Sequence, residues 1–176
     1  MNYDRLFEIS FLFVMKWEGK ESFDTGGYTK WGISQNANPN IDVKQLSLNQ
    51  VRQIYRKRYW DRLSLDMLPT KIAIAIFDMG VNLGTTRAAR FLQRTINEVL
   101  HKKILKVDGI IGEKTIEVCR IVHRIGKLDR LLLELFSKRI KFYYKLSGKR
   151  KYKKYYKGWI NRVSDLMSYI AIVEVG

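Results

Sequence analysis

Helical spacing of apolar residues dominates the chain, and only two prolines interrupt it. A first helix is expected from Tyr3 to Lys16. The stretch from Glu18 to Ser34 breaks the pattern, with Gly19, Gly26, Gly27 and Gly32 set among aromatics and threonines. Gly26-Gly27 suits a tight turn, and Tyr28, Thr29, Trp31 and Ile33 suit extended backbone. A short hairpin or loop after the first helix follows.

Ser47, with Gln50 three residues on, makes a capping box for a helix running to about Trp60. Pro69-Thr70 opens the next one. Lys71 to Leu83 is apolar nearly all round and reads as a central buried helix. In it Gly80 lies one turn before Gly84, which allows a close backbone approach. Thr85 or Thr86 caps the following helix, which ends near His101. Asp108 to Gly112 forms a turn, and Glu113–Ile125 and Leu128–Leu146 form helices. Gly148 interrupts before a last helix over Tyr155–Val173. The expected class is mainly α, with a small β-hairpin or loop after the first helix. No repeat and no Pro-, Gly- or Ser-rich linker occurs; a boundary is expected near residue 84, with 1–84 as one lobe and 85–176 as a helical remainder packed on it.

Composition narrows the options. A length of 176 residues with 46% apolar content supports a real core. Lys and Arg outnumber Asp and Glu by 33 to 17, a net charge of +16, which calls for an anionic partner: nucleic acid, acidic lipid or bacterial cell wall. The single cysteine, Cys119, excludes an intramolecular disulfide and reads as a small buried hydrophobe. Ile9 to Met15 is apolar but follows Asp4 and Glu8 and is far short of the ~20 residues that span a bilayer. It is expected to be a core helix, not a signal peptide, which would place synthesis in the cytoplasm.

His101 and His123 lie in no metal-ligand pattern, no Gly-rich phosphate loop follows a strand, and a lone cysteine holds no zinc. No metal or cofactor is expected. Carboxylate chemistry remains. Glu18 follows an apolar helix beside Trp17, and an apolar wall there would favour its protonated form, as a general acid requires. Asp24 lies in the glycine loop, where solvent keeps it ionised. Two carboxyl groups in unlike surroundings can cleave a glycosidic bond, one giving a proton to the leaving oxygen and the other supporting the cationic centre or activating water. Taken alone, Glu18 reads first as an ordinary exposed carboxylate at a helix end.

The wider motif order changes that balance. Trp17-Glu18-Gly19 and Asp24-Thr25-Gly26-Gly27-Tyr28-Thr29-Lys30-Trp31-Gly32-Ile33-Ser34 resemble the E-G-G-Y and D-x-G-G-x-T-x-x-G-I signature of glycoside hydrolase family 108. Tyr59-Trp60, Leu68-Pro69, Phe77 to Gly84 with V-N-x-G, Ala88-Ala89 and Leu92-Gln93 follow in order. Asp108 to Thr115 resembles the D-G-x-x-G-x-x-T of the associated peptidoglycan-binding helical region, so the resemblance spans residues 5 to 135. It implies a lysozyme-like helical fold and an N-acetylmuramidase acting on the glycan strand of peptidoglycan, with Glu18 as the catalytic acid. By analogy with phage-type lysozymes, Asp24 and Thr29 would flank the cleft, with Thr29 positioning water or sugar. Lys20 replaces the second glycine of E-G-G-Y, and the Glu18–Asp24 spacing is shorter than the family's, which leaves Glu21 as the alternative to Asp24. A lytic transglycosylase outcome stays open beside the muramidase one.

Asp78 and Asn82 share a face of the central helix and need partners or a wet cleft. Asp78 reads as an internal brace and Asn82 as a donor or acceptor to an N-acetyl or hydroxyl group. Tyr28, Trp31 and Trp60 are candidates for stacking on sugar rings, Trp60 equally for the core. Between Glu134 and Asp165 stand eleven Lys or Arg and no acid, interleaved with tyrosines. This run is either a solvated helix face or an adhesive surface for teichoic acid or lipid head groups. A wall-binding protein without catalysis is the second reading. A nucleic-acid binder stacking bases on the tyrosines is the third, and the motif order disfavours it. The phage-type resemblance implies action at the bacterial wall after release through a partner pore.

Overall fold

The computed structural model describes residues 3–24 and 27–173, the side chains of Tyr3 and Asp24 excepted. Helix α1 (Tyr3–Glu18) leads into a three-stranded antiparallel sheet, β1 (Glu21–Asp24), β2 (Gly27–Lys30) and β3 (Ile33–Ser34), in that spatial order. Helices α2 (Leu48–Tyr55), α3 (Thr70–Leu83), α4 (Thr85–Val99), α5 (Glu113–Arg124), α6 (Leu128–Ser147) and α7 (Tyr156–Ile172) follow. The fold is lysozyme-like and mainly α, as the pattern and the resemblance together lead one to expect.

Helix α3 is the axis of the molecule, and its residues 72 to 80 are all buried. Its apolar character on every face reflects neighbours on every face: α1, α4 and α7 pack against it. Phe7 of α1, Phe77 of α3 and Trp60 meet edge to face, with ring centroids 5.3 to 5.9 Å apart. The buried cluster runs from Leu6 to Ile170 without a break at residue 84, so the two halves of the chain share one core.

Local signals settle several boundaries. Ser47 and Gln50 make the reciprocal capping box, and α2 continues as a π turn over Arg56–Trp60. Neither Thr85 nor Thr86 caps α4 with its side chain. Gly84 holds the cap position with φ +89°, a left-handed backbone that glycine adopts without strain. At Asp108-Gly109 the buried Gln93 amide ties the turn down, donating to Asp108 Oδ1 at 2.8 Å and accepting from Gly109 N–H at 2.9 Å. Among the described residues no helix is long and apolar enough to cross a membrane.

Candidate active site

Glu18 is the last residue of α1, at the joint between helix and sheet. Its side chain is 19% exposed, neither on an outer surface nor sealed in the core. Gly19 follows with φ +69° and turns the chain into β1. Across from the carboxylate, the β2–β3 turn brings Trp31 (φ +47°) and Gly32 (φ +74°) close. A Cβ at Gly32 would fall 2.7 Å from Glu18 Oε2 and would also strike the Tyr55 hydroxyl. Glycine at 32 is therefore a packing requirement of the carboxylate.

The apolar wall expected around Glu18 is not what the structure builds. Trp17, its sequence neighbour, turns its indole N–H to Asp165 Oδ2 at 2.7 Å, because adjacent helical residues point to different sides. Instead, Arg162 of α7 donates from Nη1 to Glu18 Oε1 at 2.7 Å. The same guanidinium donates from Nε to Asp78 Oδ1 at 2.8 Å. Arg139 of α6 reaches Asp78 Oδ2 at 2.6 Å and donates from Nε to the Tyr143 hydroxyl at 3.0 Å. Tyr143 in turn donates to Asn82 Oδ1. Two carboxylates and two guanidiniums thus form a charge-balanced chain through the core, the condition under which buried ions are tolerated.

Burial alone would push the Asp78 carboxyl upward, but the two guanidiniums outweigh it and hold it below the usual carboxylate range. Burial by itself would also lower Arg162, and the Asp78 and Glu18 carboxylates reverse this and raise it. Tyr55 and Tyr59 are both raised, by burial first and then by the negative charge of Glu18. Both phenols therefore keep their protons. Tyr55 gives its own to the Trp31 carbonyl at 2.9 Å, which fixes the turn beneath Glu18.

The other sequence candidates separate. Thr29 is in register with Ser22 and Ser34, so these three share one sheet face. No hydrogen bond joins Thr29 to Glu18 among the described residues. Asp24 pairs its backbone with Gly27 at the hairpin tip, and its side chain lies outside the described ones. Glu21 is exposed on β1 beside Lys30. Tyr28 and Trp31 are half-buried, Tyr28 under the Lys44 ammonium and Trp31 under that of Lys30 at 4.7 Å. Asn82 is half-buried, its Oδ1 committed to Tyr143, while its Nδ2 donates to no described residue.

Trp60 is corrected. It is 0% exposed, wedged between Phe7 and Phe77, and its indole N–H donates to Asp66 Oδ1 at 2.7 Å. No sugar ring can reach it. Arg139 and Arg162 escaped the sequence reading, though a signal existed. Each stands alone in an apolar helical stripe, Arg139 with Leu132, Leu135 and Phe136, and Arg162 with Val163, Leu166 and Ile170. A buried aspartate on α3 requires such cations.

Residues 11–84, the segment that carries Glu18, Gly32 and Asp78, match the family model described as Glycosyl hydrolase 108. Over that segment the chain is similar to the glycosyl hydrolase 108 family. Residues 87–164 match a second family, described as "Predicted Peptidoglycan domain". The two matches together point to a glycoside hydrolase directed at peptidoglycan, acting at the cell wall. A solved structure titled "Structure of Brucella abortus SagA" is 27% identical, covers 96% of this chain and 95% of its own, and superposes with a TM-score of 0.76. No curated protein matches. The glycosyl hydrolase 108 segment supplies the carboxylate, and the guanidinium that grips it, Arg162, comes from the second segment.

Proposed function

We propose that the protein is an N-acetylmuramidase that cuts the glycan strand of peptidoglycan, with Glu18 exchanging a proton with the glycosidic oxygen. The observation that carries this reading is the setting of Glu18: a partly exposed carboxylate with one oxygen clamped by Arg162 and the other laid against Gly32, where any side chain would have to displace it. A clamped carboxyl group holds its orientation, which is what proton transfer at a fixed bond requires. In this reading Asp24, or Glu21 in its place, supports the cationic sugar, and Thr29 orients water. Tyr28 and Trp31 offer ring faces, and the Asn82 amide Nδ2 offers a donor to an acetamido oxygen.

Purified peptidoglycan treated with the protein should yield new reducing ends at N-acetylmuramic acid, read by mass analysis. Glu18→Gln should fold as the native chain does and release none. Wild-type turnover by that variant would remove the assignment, and products ending in an anhydro sugar would replace hydrolysis with transglycosylation. The ion pair with Arg162 also motivates a second reading, a wall-binding protein without turnover. In that case the native chain would bind peptidoglycan and produce no ends at all.

A further inference from the structure

A cavity of about 490 Å³ opens at the α3–α4 corner, lined by Leu83, Arg87, Arg90, Phe91, Arg94 and Phe142 among others. Its wall holds three guanidiniums and no carboxylate. Four other surface cavities each carry at least one Asp or Glu. None of the three arginines is ion-paired to a carboxylate among the described residues, whereas Arg56, Arg139 and Arg162 all are. Arg87 is held in place, donating to the Leu83 carbonyl at 3.2 Å with its guanidinium over the Phe142 ring. Phe91 and Phe142 meet edge to face at 5.9 Å and give the cavity an apolar floor. Arg94 also borders a neighbouring cavity of about 390 Å³ with His101, Lys102 and Lys103, so the cationic track continues along α4. The single acid there, Glu98, is taken by Lys138.

We propose that this arginine-lined groove binds the carboxylates of the peptide stem that hangs from the glycan strand. The inference rests on the muramidase reading for its substrate. Planar guanidiniums match carboxylates through paired hydrogen bonds, and an apolar floor suits the small side chains of a short peptide. Leu83, at the edge of the groove, lies five residues along α3 from Asp78, which shares the Arg162 guanidinium with Glu18, so one helix links the groove to the carboxylate. The positive end of α4 adds to the field of the arginines.

A free stem tetrapeptide has no glycosidic bond, so its binding reads the groove independently of cleavage. Calorimetry on the full chain should show binding of the tetrapeptide, at least tenfold weaker binding by Arg90→Ala/Arg94→Ala, and the same weakness for a peptide with its carboxylates amidated. Both arginines are exposed, and unchanged circular dichroism of the double variant should show an intact fold. The proposal falls if the native chain ignores the tetrapeptide, or if the double variant binds it unchanged. It also falls if polyglycerol phosphate, run in parallel, loses affinity in the variant while the tetrapeptide does not. Tetrapeptide binding without cleavage of peptidoglycan would overturn the muramidase reading and leave the groove standing. Cleavage without tetrapeptide binding would overturn the groove alone.

Discussion

Arg162 Nη1 lies 2.7 Å from Glu18 Oε1, joining residues 144 positions apart in the chain. The last helix thereby completes the site that the first helix begins. Because the same guanidinium also binds Asp78, the orientation of Glu18 is tied to the buried centre of the fold.

Arg162→Met should therefore damage both stability and turnover. It leaves Asp78 with one cation and Glu18 with none, and removing one partner from a buried ion pair costs about 3–5 kcal/mol. Urea unfolding should register that loss. At temperatures where the variant remains folded, kcat should fall by more than KM rises if Glu18 is the proton donor proposed above, since Arg162 then orients the reacting group. Arg162→Lys should recover little, because the native side chain reaches Asp78 and Glu18 from two separate nitrogens and a lysine has only one. Native kcat in the methionine variant would show that the clamp has no part in turnover.

The Asp78 pairing should also appear as a pH dependence. Its carboxyl is held below the ordinary value of 3.8, so it stabilises the fold above that pH. That contribution is lost as pH falls through the lower, folded-state value. Asp78→Asn lacks it at every pH and leaves Arg139 unpaired. Denaturant curves should show a large gap between the two proteins at pH 7 and a narrower one near pH 3. A gap of constant size would contradict the ionised state of Asp78.

Gly32→Ala places a methyl group against Glu18 Oε2 and the Tyr55 hydroxyl, at a backbone φ of +74°. The strained backbone alone should cost about 1–3 kcal/mol. Activity should fall further than stability accounts for, because the carboxylate itself must move. Melting temperature and turnover measured on the same preparation separate the two losses. An active, merely less stable variant would mean that Glu18 tolerates displacement.

Cys119 is fully buried, and burial pushes its thiol up to about 12. A thiol reagent at pH 8 should leave the native protein unmodified and react once the chain is unfolded in urea. Rapid labelling under native conditions would place the residue on an accessible surface.

Much of this was legible locally. The Ser47–Gln50 box, the glycines around the hairpin and the all-apolar α3 each express a rule that acts within a few residues. Motif order then led to Glu18. Trp60 stayed ambiguous, because an aromatic residue has the same one-letter identity on a sugar-binding ledge and in a core. Only its packing between Phe7 and Phe77 distinguishes them.

By itself, then, the amino-acid order determined the helical class, the turn chemistry and which carboxylate to examine, since propensity, capping and periodicity are short-range effects. Tertiary structure alone decided the surroundings of Glu18. Arg139 and Arg162 look like misplaced charges in their own helices. They acquire a purpose only when α6 and α7 bring them to Asp78, because the stability of a buried charge depends on what lies within a few ångströms in space.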